Sequence, residues 1–329
     1  MIHPIPPGTR DILPDEMREL RRLQGALLGV FAERGYGEVA TPAMEYDEVL
    51  ARGDGRAASS AYRFFDVSGE LLALRSDMTI PIARLVASRF AEASEPLRFC
   101  YLANAFRIVR PQSGQMREFA QAGVELIGVP APAGTAEVVE VLEAALDAAG
   151  LHRAVIGLGD SDLFRQLLTE FGVGEEERLT ILTRLATHDL VGVGLELEEL
   201  GLSEEQEQTC LALAQLRGGS EVLGQARELG GAAVERATAR IQETYDELVA
   251  RGVADRVQID LGLLRDLGYY SGAILEVYDP AVGHVIGGGG RYDDLLRRFG
   301  VDQPAAGFAL YVERVHLAQM EESRRGGGA

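Results

Sequence analysis

The segment 97–128 constrains the fold more than any other. LRFCYLANAFRIVR at 97–110 carries the aromatic and β-branched content of a strand, PQSGQMRE follows as a polar loop of about eight residues, and FAQAGVELIG returns as a second strand. Such a pair reads as antiparallel. AYRFFDVSGELLALR at 61–75 reads as another hairpin, turning at Ser68-Gly69. Helical patterns stand around these hairpins without the regular alternation of a parallel α/β fold. The expected class is therefore α+β, an antiparallel sheet flanked by helices. Residues 4–15 form an extended arm. A helix over 16–34 places Met17, Leu20, Leu23, Leu27, Leu28 and Phe31 at helical spacing and stops at Gly35. A second helix spans about 76–90, with Asp77 in its electropositive first turn, and a third spans 134–149. Strands are expected at 152–159, 256–261 and 273–278, a glycine-rich bend at 287–290 and a helix at 291–299. An apolar segment leads from Gly307 into a last helix, and a flexible tail covers 321–329. Residues 160–250 read helix after helix. They are either a small inserted domain or part of the same core. The organisation is thus a core of 1–160 and 250–320 with a mainly helical insertion at 160–250.

Composition sets further bounds. With 329 residues, 47% hydrophobic and 25% charged, the chain can bury a substantial core without staples. No apolar run approaches the roughly 20 residues needed to cross a bilayer. The N-terminus, MIHPIPPGTRDILPDEMREL, has no signal-like stretch, so a cytoplasmic protein without membrane partners is expected. The formal charge of −19 repels polyanions, so nucleic-acid binding is not expected. Lysine is absent, which removes lysine nucleophiles and Schiff bases. Cys100 and Cys210 have no metal or disulfide spacing, and the five histidines are dispersed, so no metal site and no cofactor are expected.

Three segments are dense in chemistry. GGGGRYDDL at 287–295 is a phosphate cradle, a turn that lets backbone approach a ligand, or a plain bend; it lacks the ending of a P-loop. In LLRDLGYYSGAILEVY at 263–278, Arg265 either pairs with a carboxylate ligand or forms an internal salt bridge to Asp260, Asp266 or Glu276, while Tyr270 walls a pocket or a core edge. In FRIVRPQSGQMREFAQAGVE at 106–125, the two-residue strand period puts Gln121 and Glu125 on one face, which is a cleft or a solvated surface.

Together these segments resemble the catalytic core of histidyl-tRNA synthetase, a class II synthetase. TPAMEY at 41–46 resembles motif 1, and FRIVRPQSGQMREFAQAGVE resembles motif 2. LRDLGYYSGAILE resembles the histidine-binding stretch, GGGRYDDL the element after it, and GFALYVERV at 307–315 motif 3. The order is preserved over residues 4–317. By this resemblance Pro42 and Glu45 belong to a dimer interface. Asp77, Thr79 and Gln121 match positions around the histidine amino group, and Arg107 lies with Gln121 on the carboxylate side. Glu125, Arg265, Tyr269 and Tyr270 match the imidazole end, and Tyr292 matches an aromatic near the pocket.

The departures fall on the ATP side. The motif 2 glutamate that reads adenine is Val109, an arginine of that motif is Gln115, and the small glycine of motif 3 is Tyr311, whose phenol would intrude where ATP lies; Arg314 remains. The chain also stops at the core, so no anticodon-binding domain is expected. A core that keeps histidine contacts and loses ATP contacts resembles the regulatory subunit of short-form ATP phosphoribosyltransferase. That resemblance implies a non-catalytic chain, four of which join four catalytic subunits in a hetero-octamer. It activates them and mediates histidine feedback in the first step of histidine biosynthesis. A truncated histidine-activating enzyme is the alternative.

Overall fold

The fold comes from a computed structural model, which describes residues 5–54, 60–109, 116–265 and 268–326. Strands β1 (Gly37–Glu38), β2 (Met44–Tyr46), β3 (Arg63–Phe65) and β4 (Leu71–Leu74) precede the long hairpin of β5 (Leu97–Phe106) and β6 (Glu118–Ile127). Then come β7 (Val155–Asp160), β8 (Arg217–Gly218), β9 (Val257–Asp260), β10 (Ala273–Tyr278), β11 (Val285–Arg291) and β12 (Ala305–Tyr311). Nine of them form one sheet in the order β1-β5-β6-β12-β11-β10-β7-β9-β8, and β2-β4-β3 form a small second sheet. The hairpin runs antiparallel from Leu97 opposite Ile127 to Phe106 opposite Glu118. Only the β1–β5 and β7–β9 pairs are parallel among the described strands.

The strand period sorts β6 between two apolar clusters. Ala120, Ala122, Val124 and Leu126 face the larger one, which holds the helices Pro14–Glu33, Ala133–Ala148 and Val312–Gly326 against the sheet. The intervening residues point to the opposite face, where Ile127 joins a smaller cluster with Met78, Ile80, Tyr101, Tyr269 and Tyr292. The first helix shows how local sequence sets these layers. Pro14 opens it, Asp15 and Glu16 sit in its first turn, Leu20, Leu23, Leu27 and Phe31 are its buried stripe, and Gly35 at φ +81° turns the chain away.

Residues 163–251 fold as six helices with β8 among them, and β8 pairs with β9 on the main sheet edge. Their buried Leu167, Ile181, Val193, Cys210, Leu223 and Ile241 are continuous with the larger cluster. Cys100 and Cys210 are both buried, and burial pushes their thiols up, to about 11 and about 12 respectively.

Four expectations are corrected. Gly287–Gly290 form no bend but lie inside β11, between β10 and β12. Glycine leaves room there for both a side chain and neighbouring backbone: a Cβ on Gly288 would meet the Arg265 guanidinium and stand 2.7 Å from the Leu275 carbonyl, and one on Gly289 would meet the Gly307 carbonyl. The helix expected from 76 opens at Thr79, leaving Asp77 just outside it, where its carboxylate accepts the Ile80 N–H at 3.1 Å. The first hairpin strand ends at Phe106, so Val109 is off the sheet. The tail expected from 321 is helical to Gly326, held by Arg325, which donates to the carbonyls of Pro280 and Ala281 at 3.2 Å.

Candidate functional site

The nine residues matched to histidine recognition meet on the second face of the sheet. Gln121 and Glu125 project from β6, 3% and 1% exposed, so the polar face of that strand is a covered cleft. Glu125 sits opposite Gly307 on β12, and a Cβ there would stand 2.0 Å from its carboxylate. The missing side chain is what leaves room for the carboxyl. Thr79, at the start of its helix, donates to Glu125 Oε1 at 2.8 Å, and the Tyr292 hydroxyl donates to Oε2. Burial pushes the Glu125 carboxyl up to about 8; the Tyr292 and Thr79 hydrogen bonds oppose that shift and the nearby Asp77 adds to it. Burial therefore keeps Glu125 largely uncharged near neutral pH. A ligand bringing an N–H donor or a positive charge would draw it to the carboxylate form.

Asp77 is buried, and burial raises its carboxyl while the Ile80 N–H and the Arg107 charge hold it down. Arg107 donates through Nε to the Ser76 carbonyl at 3.1 Å and lies 5.2 Å over the Phe119 ring. Tyr269 and Tyr270 meet at 4.9 Å between ring centroids, and Tyr292 closes edge-on to Tyr269 at 6.1 Å. Arg265 reaches over Gly288, donates to the Leu275 carbonyl at 3.3 Å and stands 3.7 Å from Glu276. The internal salt bridge expected for Arg265 is thus present, with Glu276 as its partner, and its Nε is buried without a partner. Gln121 Oε1 is likewise buried without a partner. An unpaired buried polar atom calls for a partner, which a water or a bound molecule in the adjoining space would supply. Sequence reasoning missed Tyr101, which is buried opposite Gly123 and lines the same pocket. The signal for it was the β5–β6 register, which only a paired hairpin reveals.

All of the matched residues but Glu125, together with Tyr101 and Tyr311, line a pocket of about 20 Å³, room for about one water. Beside it opens a cleft of about 700 Å³ lined by Val109, Phe119, His284, Tyr311, Arg314 and others. This is the side matched to ATP. Val109 offers no hydrogen bond there. Arg314 is committed to the Val285 carbonyl at 2.7 Å and lies 4.7 Å over the Tyr311 ring. Arg110 and Gln115 lie outside the described residues. Glu45 is buried and paired with Arg84 at 2.7 Å; Pro42 lines a surface depression with Met44, Tyr46 and Leu72.

The sheet order, the β5–β6 hairpin and the tyrosine-walled pocket on it define a class II synthetase core. A family model for histidyl-tRNA synthetase matches residues 8–315. The ATP phosphoribosyltransferase regulatory subunit of Moorella thermoacetica is 40% identical over 319 residues, 96% of this chain and 82% of the relative. That of Symbiobacterium thermophilum is 41% identical over 321 residues, 97% of this chain and 80% of the relative. A Bacillus halodurans crystal structure, described as an ATP phosphoribosyltransferase regulatory subunit/histidyl-tRNA synthetase, matches with TM-score 0.88 and 31% identity, covering 97% of this chain and 84% of that one. A Nostoc histidyl-tRNA synthetase, 22% identical with TM-score 0.79, covers 98% of this chain and 76% of that one and shares the fold. The chain belongs to the histidyl-tRNA synthetase family and, within it, to the ATP phosphoribosyltransferase regulatory subunits.

Among the described residues no group of acidic, cysteine or histidine side chains is arranged to hold a metal ion, and no helix is long and apolar enough to cross a membrane.

Proposed function

We propose that this chain is a non-catalytic regulatory subunit that activates a short-form ATP phosphoribosyltransferase and carries its histidine feedback. The carrying observation is the pair of unpartnered buried atoms, Gln121 Oε1 and Arg265 Nε, on residues that line a pocket also offering Asp77 and Arg107, with Glu125 behind its Thr79 and Tyr292 walls. A zwitterion with an imidazole needs acceptors for its ammonium and ring N–H and donors for its carboxylate, and this set supplies both. The ATP half is poorer, since Val109 gives no adenine contact and Arg314 is engaged internally. The net charge of −19 disfavours tRNA. The working assembly is four regulatory with four catalytic chains in the cytoplasm.

The size of the cleft favours a second reading, a histidine-activating enzyme, because about 700 Å³ can admit a nucleotide. Calorimetry and ATP–pyrophosphate exchange on the purified chain separate the two. The regulatory reading expects histidine binding without micromolar ATP binding and without exchange. Exchange above background, lost in Arg314→Ala, would replace it with the enzymatic reading.

A further inference from the structure

The small pocket and the wide cleft share two lining residues among those described, Arg107 and Tyr311. Tyr311 is the last residue of β12, paired in register with Gln121. One edge of its ring packs on Phe119 at 5.6 Å between centroids, and the Arg314 guanidinium covers a face. Its hydroxyl accepts a hydrogen bond from Arg107. The partition between a site too small for an amino acid and the space from which one would arrive is therefore one phenol held by one arginine. Behind it wait the unpartnered Arg265 Nε and Gln121 Oε1.

Resting on the proposed histidine-binding reading, we propose that Tyr311 is the gate of this pocket: its phenol oxygen holds the place of a ligand carboxylate on the arginines, and an amino acid enters from the wide cleft by displacing it. A carboxylate carries a full charge and two acceptor oxygens, and guanidinium groups bind such an anion more strongly than a neutral phenol. The exchange is thus downhill for an α-amino acid and uphill for a molecule without an anionic end, so the gate also selects its ligand.

The electrostatics agree. Burial raises the Tyr311 phenol, but Arg107, Arg265 and Arg314 more than offset this and bring it down to about 8. The phenols of Tyr101 and Tyr270 also interact with it, Asp77, Tyr269 and Tyr292 line the pocket on one side of it, and Asp15, Glu16, Glu19, His284, Glu313, His316 and Arg10 line the cleft on the other. Once ionised, Tyr311 grips the arginines harder. Displacement returns it toward its ordinary value near 10, so opening becomes more costly as pH rises through about 8.

The test is histidine titration of the full-length protein by calorimetry at pH 7 and pH 9, comparing wild type with Tyr311→Phe, which keeps the ring packing and removes the oxygen. The gate predicts that the variant binds histidine about 2- to 10-fold more tightly at pH 7, the worth of one hydrogen bond no longer broken. The wild-type to variant ratio of Kd should then widen about tenfold further at pH 9, since titrations shared by both proteins cancel in that ratio. Equal affinities and a ratio independent of pH, with histidine still bound, would overturn the gate and leave the pocket reading standing. Binding by neither protein would overturn both. Tyr311→Leu, measured in parallel, guards against a folding defect peculiar to one variant, and it should also gain affinity.

Discussion

At the residue scale, the Glu125 carboxyl carries the clearest consequence. It sits on a strand interior with two hydroxyls donating to it and an acid nearby. Its folded value of about 8 lies far above the 4.5 of a free glutamate, so the folded protein holds a proton that the unfolded chain has released. The stability this supplies is complete below the unfolded value and is lost as pH climbs through about 8. Glu125→Gln keeps the shape and cannot ionise. Between pH 5 and pH 9 the variant should gain on the wild type by on the order of 2–5 kcal/mol, read from urea denaturation at each pH. Parallel profiles would show that Glu125 ionises normally in the folded state. The convergence of Asp77, Thr79, Arg107, Gln121, Glu125, Arg265 and the three tyrosines was legible because each stands in a segment whose residue order resembles a known site. Tyr101 and the clearance over Gly288 and Gly307 were not, since they depend on which residue lies opposite which across paired strands.

At the element scale, the antiparallel hairpin and most helices follow from the local pattern, because turn residues and apolar spacing act within a few positions. The glycine run at 287–290 did not, because its reason is tertiary: the strand is glycine-rich so that Arg265 and β12 can close over it. The small sheet β2-β4-β3 carries an expectation of its own. Met44 and Tyr46 are 52% and 51% exposed on one face of it, and the depression beside them, with Pro42 and Leu72 in its lining, measures about 640 Å³. An apolar patch of this kind on a monomer marks an interaction surface. A symmetric homodimer of the isolated chain is expected, with Pro42 and Glu45 near the two-fold axis. Light scattering at micromolar concentration should give twice the chain mass of 35.5 kDa, and Met44→Glu should shift it toward the monomer. A monomeric wild type would remove the proposed interface.

At the scale of the whole molecule, the chain combines a synthetase sheet, a closed polar pocket of about 20 Å³ and a neighbouring cleft of about 700 Å³ in which Arg314 is engaged internally. Feedback through such a site is a coupling free energy. Histidine that binds here must shift the partner enzyme between active and inactive states, and the shift must weaken in step with binding. The most direct measurement is a histidine inhibition curve on the reconstituted ATP phosphoribosyltransferase complex, with Glu125→Ala in this chain and assembly verified by sedimentation. Loss of one buried partner costs about 1–3 kcal/mol, so the curve should move to histidine concentrations roughly 5- to 150-fold higher. If it overlays the wild-type curve while the complex is intact, the pocket on β6 is not the feedback sensor.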